Sequence, residues 1–261
     1  MLETDGRARV ARFLACSDIH NDVIAVRQLR AREANDYDAV IVAGDIGSER
    51  PDEVFDILRS FECPVLYVFG NWDRRLERNR NFGADCHHLH LTPFSIGGLS
   101  LVGESIDGID PDWEASLAAA ADRALVCQAH LAEERAKLRT IIAAQAPERT
   151  IVVSHYRLTK TKTFLPGVPL FLFGHIHRFE DVTYRGQRFV NVSALDKKVM
   201  VSRKGERVKP GGYRYLNDGS YVVISHSEHA GFTVEPRRFD PDFSGWERID
   251  GIFHSSATEV E

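Results

Sequence analysis

The chain has 261 residues, 43% apolar and 27% charged, a globular balance that excludes wholesale disorder and collagen-like repetition and leaves room for a core without disulfides. A net charge of −5 argues against a globally basic nucleic-acid binder, and no apolar run reaches the length that spans a bilayer or forms a secretory signal. The four cysteines are scattered without a CxxC pair, which suits reduced thiols, so the expectation is one cytoplasmic domain over residues 1–261.

The apolar run Phe13-Leu14-Ala15 stops at Ser17-Asp18 and reads as a buried strand. A helix capped by Asn21 or Asp22 follows, with Val23, Ile24, Val26 and Leu29 expected on its buried side. A second strand, Ala39 to Ala43, ends at Gly44-Asp45, and Pro51 opens a helix carrying Val54, Ile57, Leu58 and Phe61 at helical spacing. Val65 to Phe69 is a third strand, ending at Gly70-Asn71. Strands alternating with helices predict a parallel α/β arrangement. Alanine-rich sequence from about 112 to 146 predicts helices that cap the site or cover a sheet, with Leu131, Leu138, Ile141 and Ile142 on the packed side. The strand pattern then resumes. Ile151-Val152-Val153 runs into Ser154-His155, and Leu170 to Phe173 runs into Gly174-His175. Val182 to Asn191 reads as a hairpin turning at Arg185-Gly186, and Tyr221 to Ser225 and Gly231 to Pro236 are further strands.

Five apolar strands thus each end in a candidate ligand: Asp18 with His20, Asp45, Asn71, His155, and His175 with His177. In open α/β sheets the carboxyl edge is where ligands bind. Carboxylate, imidazole and amide oxygen together suit a divalent transition metal such as Mn, Fe, Co, Ni or Zn. Alternation along an extended segment predicts that Asp18 converges with His20, and His175 with His177. Glycines before Asp45, Asn71 and His175 allow close backbone approach. A lone DxH or HxH is weak evidence; the whole ordered set is not.

The set DxH, GD, GN, H, GHxH, spread over roughly residues 13–193, resembles the calcineurin-like metallophosphoesterase superfamily. The resemblance implies a four-layer αββα sandwich with two central mixed β-sheets and two divalent metal ions, Mn, Fe or Zn, between their loops. It implies that Asp18, His20, Asp45 and His177 hold one ion. Asp45, Asn71, His155 and His175 would hold the other, with Asp45 as the bridge and Asp45, Asn71 and His155 at the centre of catalysis. Two cations roughly 3.5–4 Å apart clamp phosphoryl oxygens and acidify a bridging water for in-line attack.

The third motif departs from the family pattern, which has histidine after the asparagine. Here it reads Gly70-Asn71-Trp72-Asp73, and indole cannot replace an imidazole acid. That points to the non-histidine GNxD members and to a phosphodiesterase, with Trp72 packing under the loop or stacking on a base and Asp73 lacking the histidine it would orient. His87, His88, His90 and Tyr156 are candidates for a substitute acid, although His88 and His90 also read as the exposed face of a strand. Trp72 and Asp73 of the third motif, with Arg157 and Arg178 beside ligands, are candidates for substrate contact. Arg74, Arg75, Arg78 and Arg80 follow the third motif and read either as contacts for an anionic substrate or, the reading favoured, as a solvated helix face; Lys197, Lys198, Arg203, Lys204, Arg207 and Lys209 read as a surface loop without the interleaved aromatics of a nucleic-acid site. The partner expected is a small phosphate ester, with nucleotides among the candidates, and neither a membrane nor a nucleic acid. A phosphomonoesterase or protein phosphatase and a non-catalytic scaffold are the alternatives.

Overall fold

Side chains alternate across each strand, and in this chain both faces of the central strands are apolar, so each sheet must be covered twice. The structure, a computed structural model, describes residues 10–34, 36–105, 108, 110–119, 121–158, 165–196, 199–201, 214–216, 219–239, 246–249 and 252–255. Its strands are β1 (Ala11–Cys16), β2 (Ala39–Ala43), β3 (Val65–Val68), β4 (Cys86–His88), β5 (Phe94–Ile96), β6 (Leu99–Glu104), β7 (Thr150–Ser154), β8 (Leu170–Phe173), β9 (Phe179–Tyr184), β10 (Gln187–Val192), β11 (Val199–Val201), β12 (Arg214–Leu216), β13 (Ser220–Ser227), β14 (Gly231–Arg238), β15 (Trp246–Ile249) and β16 (Ile252–Ser255). The helices are α1 (Val23–Arg32), α2 (Pro51–Arg59), α3 (Pro111–Ala119) and α4 (Arg123–Ala144).

Two six-stranded sheets form, in the orders β14-β13-β1-β2-β3-β4 and β5-β6-β7-β8-β10-β9. Both are mixed: β1 to β4 are parallel with β13 antiparallel to β1, and β6, β7, β8 and β10 are parallel with antiparallel edges β5 and β9. Phe13, Ala15, Ile41 and Val68 of the first sheet meet Leu101, Ile151, Val153 and Leu172 of the second. The alternate residues Leu14, Cys16, Val40 and Val42 face α1 and α2 through Val26, Leu29, Val54, Phe55 and Leu58. On the far side Val102, Val152, Phe171 and Phe173 are covered by Leu138 and Ile142 of α4. The result is the four-layer αββα sandwich with two central mixed sheets. No helix among the described residues is long and apolar enough to cross a membrane.

Several local expectations need correction. Asp22, not Asn21, caps α1, its Oδ1 accepting from Ala25 N at 3.1 Å. Asn21 Oδ1 instead accepts from the amides of Glu49 and Arg50. Ile24 is 66% exposed, because in a ten-residue helix lying on a sheet the buried stripe runs through Val23, Val26 and Leu29. Phe55 is buried where Ile57 is only half-buried. Residues 74–80 form turns, not a helix. The hairpin at Arg185-Gly186 forms as read, with positive φ at both turn residues and Tyr184 opposite Gln187. Lys197, Lys198, Arg203, Lys204, Arg207 and Lys209 lie outside the described residues.

Glu33, at the end of α1, links the antiparallel edge of the first sheet to the helix layer. Its buried carboxylate accepts from Tyr37 Oη, from Tyr221 Oη at 2.6 Å and from Arg237 Nη1 at 2.9 Å. Burial opposes the charge, but these donors outweigh it and hold the carboxyl below its ordinary range. A depressed folded pKa stabilises above the unfolded value and loses that contribution as pH falls through it. Glu33→Gln is therefore expected to lower Tm at pH 7 by about 5 °C. The gap from wild type should close below the ordinary glutamate pKa of about 4.3; a gap independent of pH in thermal melts would contradict this.

Candidate metal centre

The carboxyl ends of β1, β2 and β3 in one sheet and of β7 and β8 in the other come together at one edge of the sandwich, bringing Asp18, His20, Asp45, Asn71, His155, His175 and His177 to one place. The route differs from the extended segments expected at the two x-His pairs. β1 ends at Cys16, and Asp18, His20, Asp45, His175 and His177 all have φ between 49° and 70°. These five are half of the ten non-glycine residues with positive φ among the described residues, and strain concentrated in this way is typical of functional sites. Convergence therefore comes from left-handed turns held by the neighbouring loop: Asp18 N donates to Gly44 O, and the amides of Ile19 and His20 both donate to Asp45 O. Close approach requires the glycines. A Cβ on Gly70 would lie 2.3 Å from Asp45 Oδ1, and one on Gly174 would lie 1.8 Å from Ser17 Oγ.

Asp45 stands at the middle. Its Oδ2 lies 3.2 Å from His20 Nε2 and 3.3 Å from His155 Nε2, and its Oδ1 accepts from Trp72 N at 2.8 Å. Each histidine is held from behind: His20 Nδ1 lies 2.8 Å from Asp196 Oδ2, and His155 Nδ1 lies 3.0 Å from Ala43 O. With Nδ1–H donating, both Nε2 lone pairs point at a carboxylate oxygen. Acceptors facing acceptors need a cation between them, and the second partner on Nδ1 sets the tautomer that a metal requires. Asp18 adds a further sign. Its Oδ1 is buried and receives no hydrogen bond, although His177 Nε2 is 3.0 Å away and His20 Nε2 3.8 Å. The described residues contain two tight ligand groups, Asp18–His20–His177 and Asp18–Asp45–His155, each with its ligand atoms within 4.8 Å. Asp18 belongs to both, whereas the resemblance assigned it to one ion. The donor set fits divalent cations.

In the metal-free protein, protons serve the same end. Burial opposes a charge on His20, but hydrogen bonds to Asp196 and Asp45 push it up to about 10. His155 is likewise pushed up to about 9, mainly by Asp45 against burial. Asp45, despite burial, is held well below the carboxylate range by His155 and His20.

The other candidates separate. Asn71 Oδ1 lies 3.2 Å from His155 Nε2 and accepts from Tyr156 Oη at 3.3 Å. His175 is the exposed member, its ring edge-on to His155 and Tyr156 with centroids 5.1 and 4.7 Å away. Trp72 is 36% exposed and sits against His20, the rings tilted at 49° with centroids 4.5 Å apart. Asp73 is wholly buried, its carboxylate accepting from Gly47 N at 2.7 Å and Gly70 N at 2.8 Å. It staples two ligand loops and offers nothing to a substrate. Burial pushes it up to about 7, with the Gly70 amide opposing and Asp45 adding to the rise. Arg157 and Arg178 both turn to Glu180, at 3.4 and 2.6 Å. Arg157 also stacks over Phe173 and Phe189.

Of the four substitute acids, only Tyr156 reaches this centre. His87 packs on Phe94. His88 is bound by Arg78 O and Ser105 Oγ, and burial with His90 nearby pushes it down to about 3. His90 is bound to Glu134 at 3.1 Å. Neither is the exposed strand face expected, because α4 and the 76–80 turn close over them.

Asp196 escaped the sequence reading. A sixth strand end, that of β10, carries Asn191, Ser193 and Asp196 into the same edge; Asn191 Nδ2 donates to Gly174 O, and Asp196 N donates to Asp18 O. The signal was present as a polar cluster after an apolar strand, but Asp196 falls in no ligand motif. Asp196→Ala is expected to weaken divalent-cation binding about 10- to 100-fold with the fold intact. Calorimetric titration of the metal-free protein checks this, and unchanged affinity would remove the orienting role.

Four-layer architecture with a carboxylate–imidazole cluster at the sheet edge frames a candidate metal centre between two sheets. A family model for the calcineurin-like phosphoesterase superfamily domain matches residues 12–205. The chain belongs to this superfamily of metal-dependent phosphoesterases. No curated protein matches it. Among solved structures, TT1561 of Thermus thermophilus is similar with a TM-score of 0.51 at 15% identity, covering 88% of this chain and 99% of that one. GAP50, the anchor in the inner membrane complex of Plasmodium, is similar with a TM-score of 0.50 at 12% identity, covering 88% and 84%. At these identities the likeness is one of fold.

Proposed function

We propose that this protein is a dinuclear-metal phosphodiesterase that hydrolyses a small phosphate ester, with nucleotides among the candidates. The observation that carries this reading is Asp45 Oδ2, placed within 3.3 Å of two imidazole Nε2 atoms whose Nδ1 atoms are held from behind. Asp18, His20, Asp45 and His177 would hold one cation, and Asp45, Asn71, His155 and His175 the other, with Asp18 also within reach of the second group. Mn, Fe or Zn ions, when bound, neutralise the phosphoryl oxygens and lower the pKa of the attacking water. Asp45, Asn71 and His155 fix the reacting phosphate's position, while the exposed His175 meets it from the solvent side. Trp72 supports a diester over a monoester: its half-exposed indole suits a carbon-bearing ester arm better than the extra charged oxygen of a monoester. The four cysteines are free thiols, in keeping with a reducing compartment, and we place the enzyme in the cytoplasm as one phosphoesterase domain.

Metal content and turnover test this. Protein loaded with Mn is expected to hydrolyse bis-p-nitrophenyl phosphate faster than p-nitrophenyl phosphate, and chelation should abolish both. Faster monoester turnover would favour a phosphomonoesterase or protein phosphatase. A protein that neither binds metal nor turns over either ester would be a scaffold.

A further inference from the structure

Beside Asn71 and Trp72 a cleft of about 380 Å³ opens, lined further by Arg74, Arg75, Ser48 and Glu49. That volume lies in the range of small-molecule sites. The four arginines that follow the third motif do not behave alike. Arg78 pairs with Glu134 at 3.0 Å, and Arg80 with Asp52 at 2.7 Å. Arg74 and Arg75 are exposed, line the cleft, and have no carboxylate within ion-pair distance among the described residues. Asp73, the acid next to them in sequence, is turned inward and occupied by two backbone amides. Glu49 offsets one of the two charges, so the cleft wall remains net positive. Guanidinium groups present planar forks that match phosphate.

The cleft floor is held in place. Ser48 Oγ donates to Trp72 O at 2.6 Å, and Trp72 N donates to Asp45. The indole lies against His20, the rings tilted at 49° with centroids 4.5 Å apart, and lines the cleft with part of its surface exposed. A partly exposed indole and two guanidiniums without an ion-pair partner among the described residues thus line one cleft, joined to the candidate metal centre through Asn71.

We infer that this cleft is a second anion site. The substrate is a phosphodiester with one arm bearing a planar ring, laid on Trp72, and a further phosphoryl group, gripped by Arg74 and Arg75. This rests on the phosphodiesterase reading and narrows its substrate to phosphorylated nucleotide-like diesters.

Two matched chromogenic diesters test the inference: thymidine 5′-(p-nitrophenyl phosphate) with and without a phosphate on O3′. Both release the same phenolate, so any difference comes from the remote phosphate. The metal-loaded enzyme is expected to favour the 3′-phosphorylated ester in kcat/KM by about tenfold or more. R74A/R75A, and equally R74Q/R75Q, should reduce that ratio to about one. Equal kcat/KM for the two esters in the wild type, or a preference that survives both double variants, overturns the anion site. Trp72→Ala should reduce the preference for the thymidyl ester over methyl p-nitrophenyl phosphate by about fivefold or more; an unchanged ratio overturns the stacking half. Failure of the hydrolase reading would show separately, as absent turnover of bis-p-nitrophenyl phosphate by metal-loaded protein. In that case calorimetry with thymidine 3′,5′-bisphosphate decides the anion site: binding about tenfold weaker in R74A/R75A supports it, and equal binding overturns it.

Discussion

Asp45→Ala is expected to strip bound metal and to lower kcat/KM on bis-p-nitrophenyl phosphate by at least about a thousandfold, the upper end of what loss of one preorganised stabiliser causes. Asp45 Oδ2 faces both His20 and His155, so the loss falls on both imidazoles; loss of Asp18, which belongs to both ligand groups, is expected to cost comparably. Without Asp45, two imidazoles converge on an empty position. His177, by contrast, belongs to one of the two ligand groups, its Nε2 3.0 Å from Asp18 Oδ1, so His177→Ala should keep part of its metal and activity. Metal analysis of the purified variants, beside circular dichroism to confirm folding, reads both effects. A folded Asp45→Ala variant that retained metal and turnover would remove the bridging role.

Turnover should also depend steeply on the leaving group. Protonation of an alkoxide is worth about a hundred- to ten-thousand-fold in general-acid catalysis, and the residue after Asn71 is Trp72. Asp73 cannot repair this, since its carboxylate is buried and bound to Gly47 and Gly70. For the same reason Trp72→His would give an imidazole with no acidic partner to orient it. The expected result is that aryl diesters outrun alkyl diesters by about a hundredfold or more. A shallow dependence in the wild type that steepens in Tyr156→Phe would transfer the proton to the phenol, whose oxygen lies 3.3 Å from Asn71 Oδ1. A shallow dependence in both proteins would mean that the departure at Trp72 does not govern leaving-group protonation.

Much of the molecule was legible in the chain because its signals are local. Apolar runs broken by glycine and an ionisable residue mark buried strands and their ends, and β2, β3, β7 and β8 lie within a residue or two of their expected bounds. The same punctuation marked seven candidate ligands, all of which the fold brings to one edge. Other features depend on what packs from far away in sequence. Ile24 fits a helical stripe as well as Val23 does, and only the sheet beneath α1 decides which is covered. His88 and His90 alternate with leucines like an exposed strand face until α4, more than forty residues on, brings Glu134 to His90. Asp73 follows a ligand motif, yet the backbone amides of two loops claim it. Asp196 has no motif, but sits 2.8 Å from His20 Nδ1. The candidate ligands are therefore written in short strand-end patterns, because each strand carries its last residues to the same edge, where the left-handed turns aim them. Tautomer, burial and pairing are set by residues distant along the chain, so the tertiary structure alone decides them.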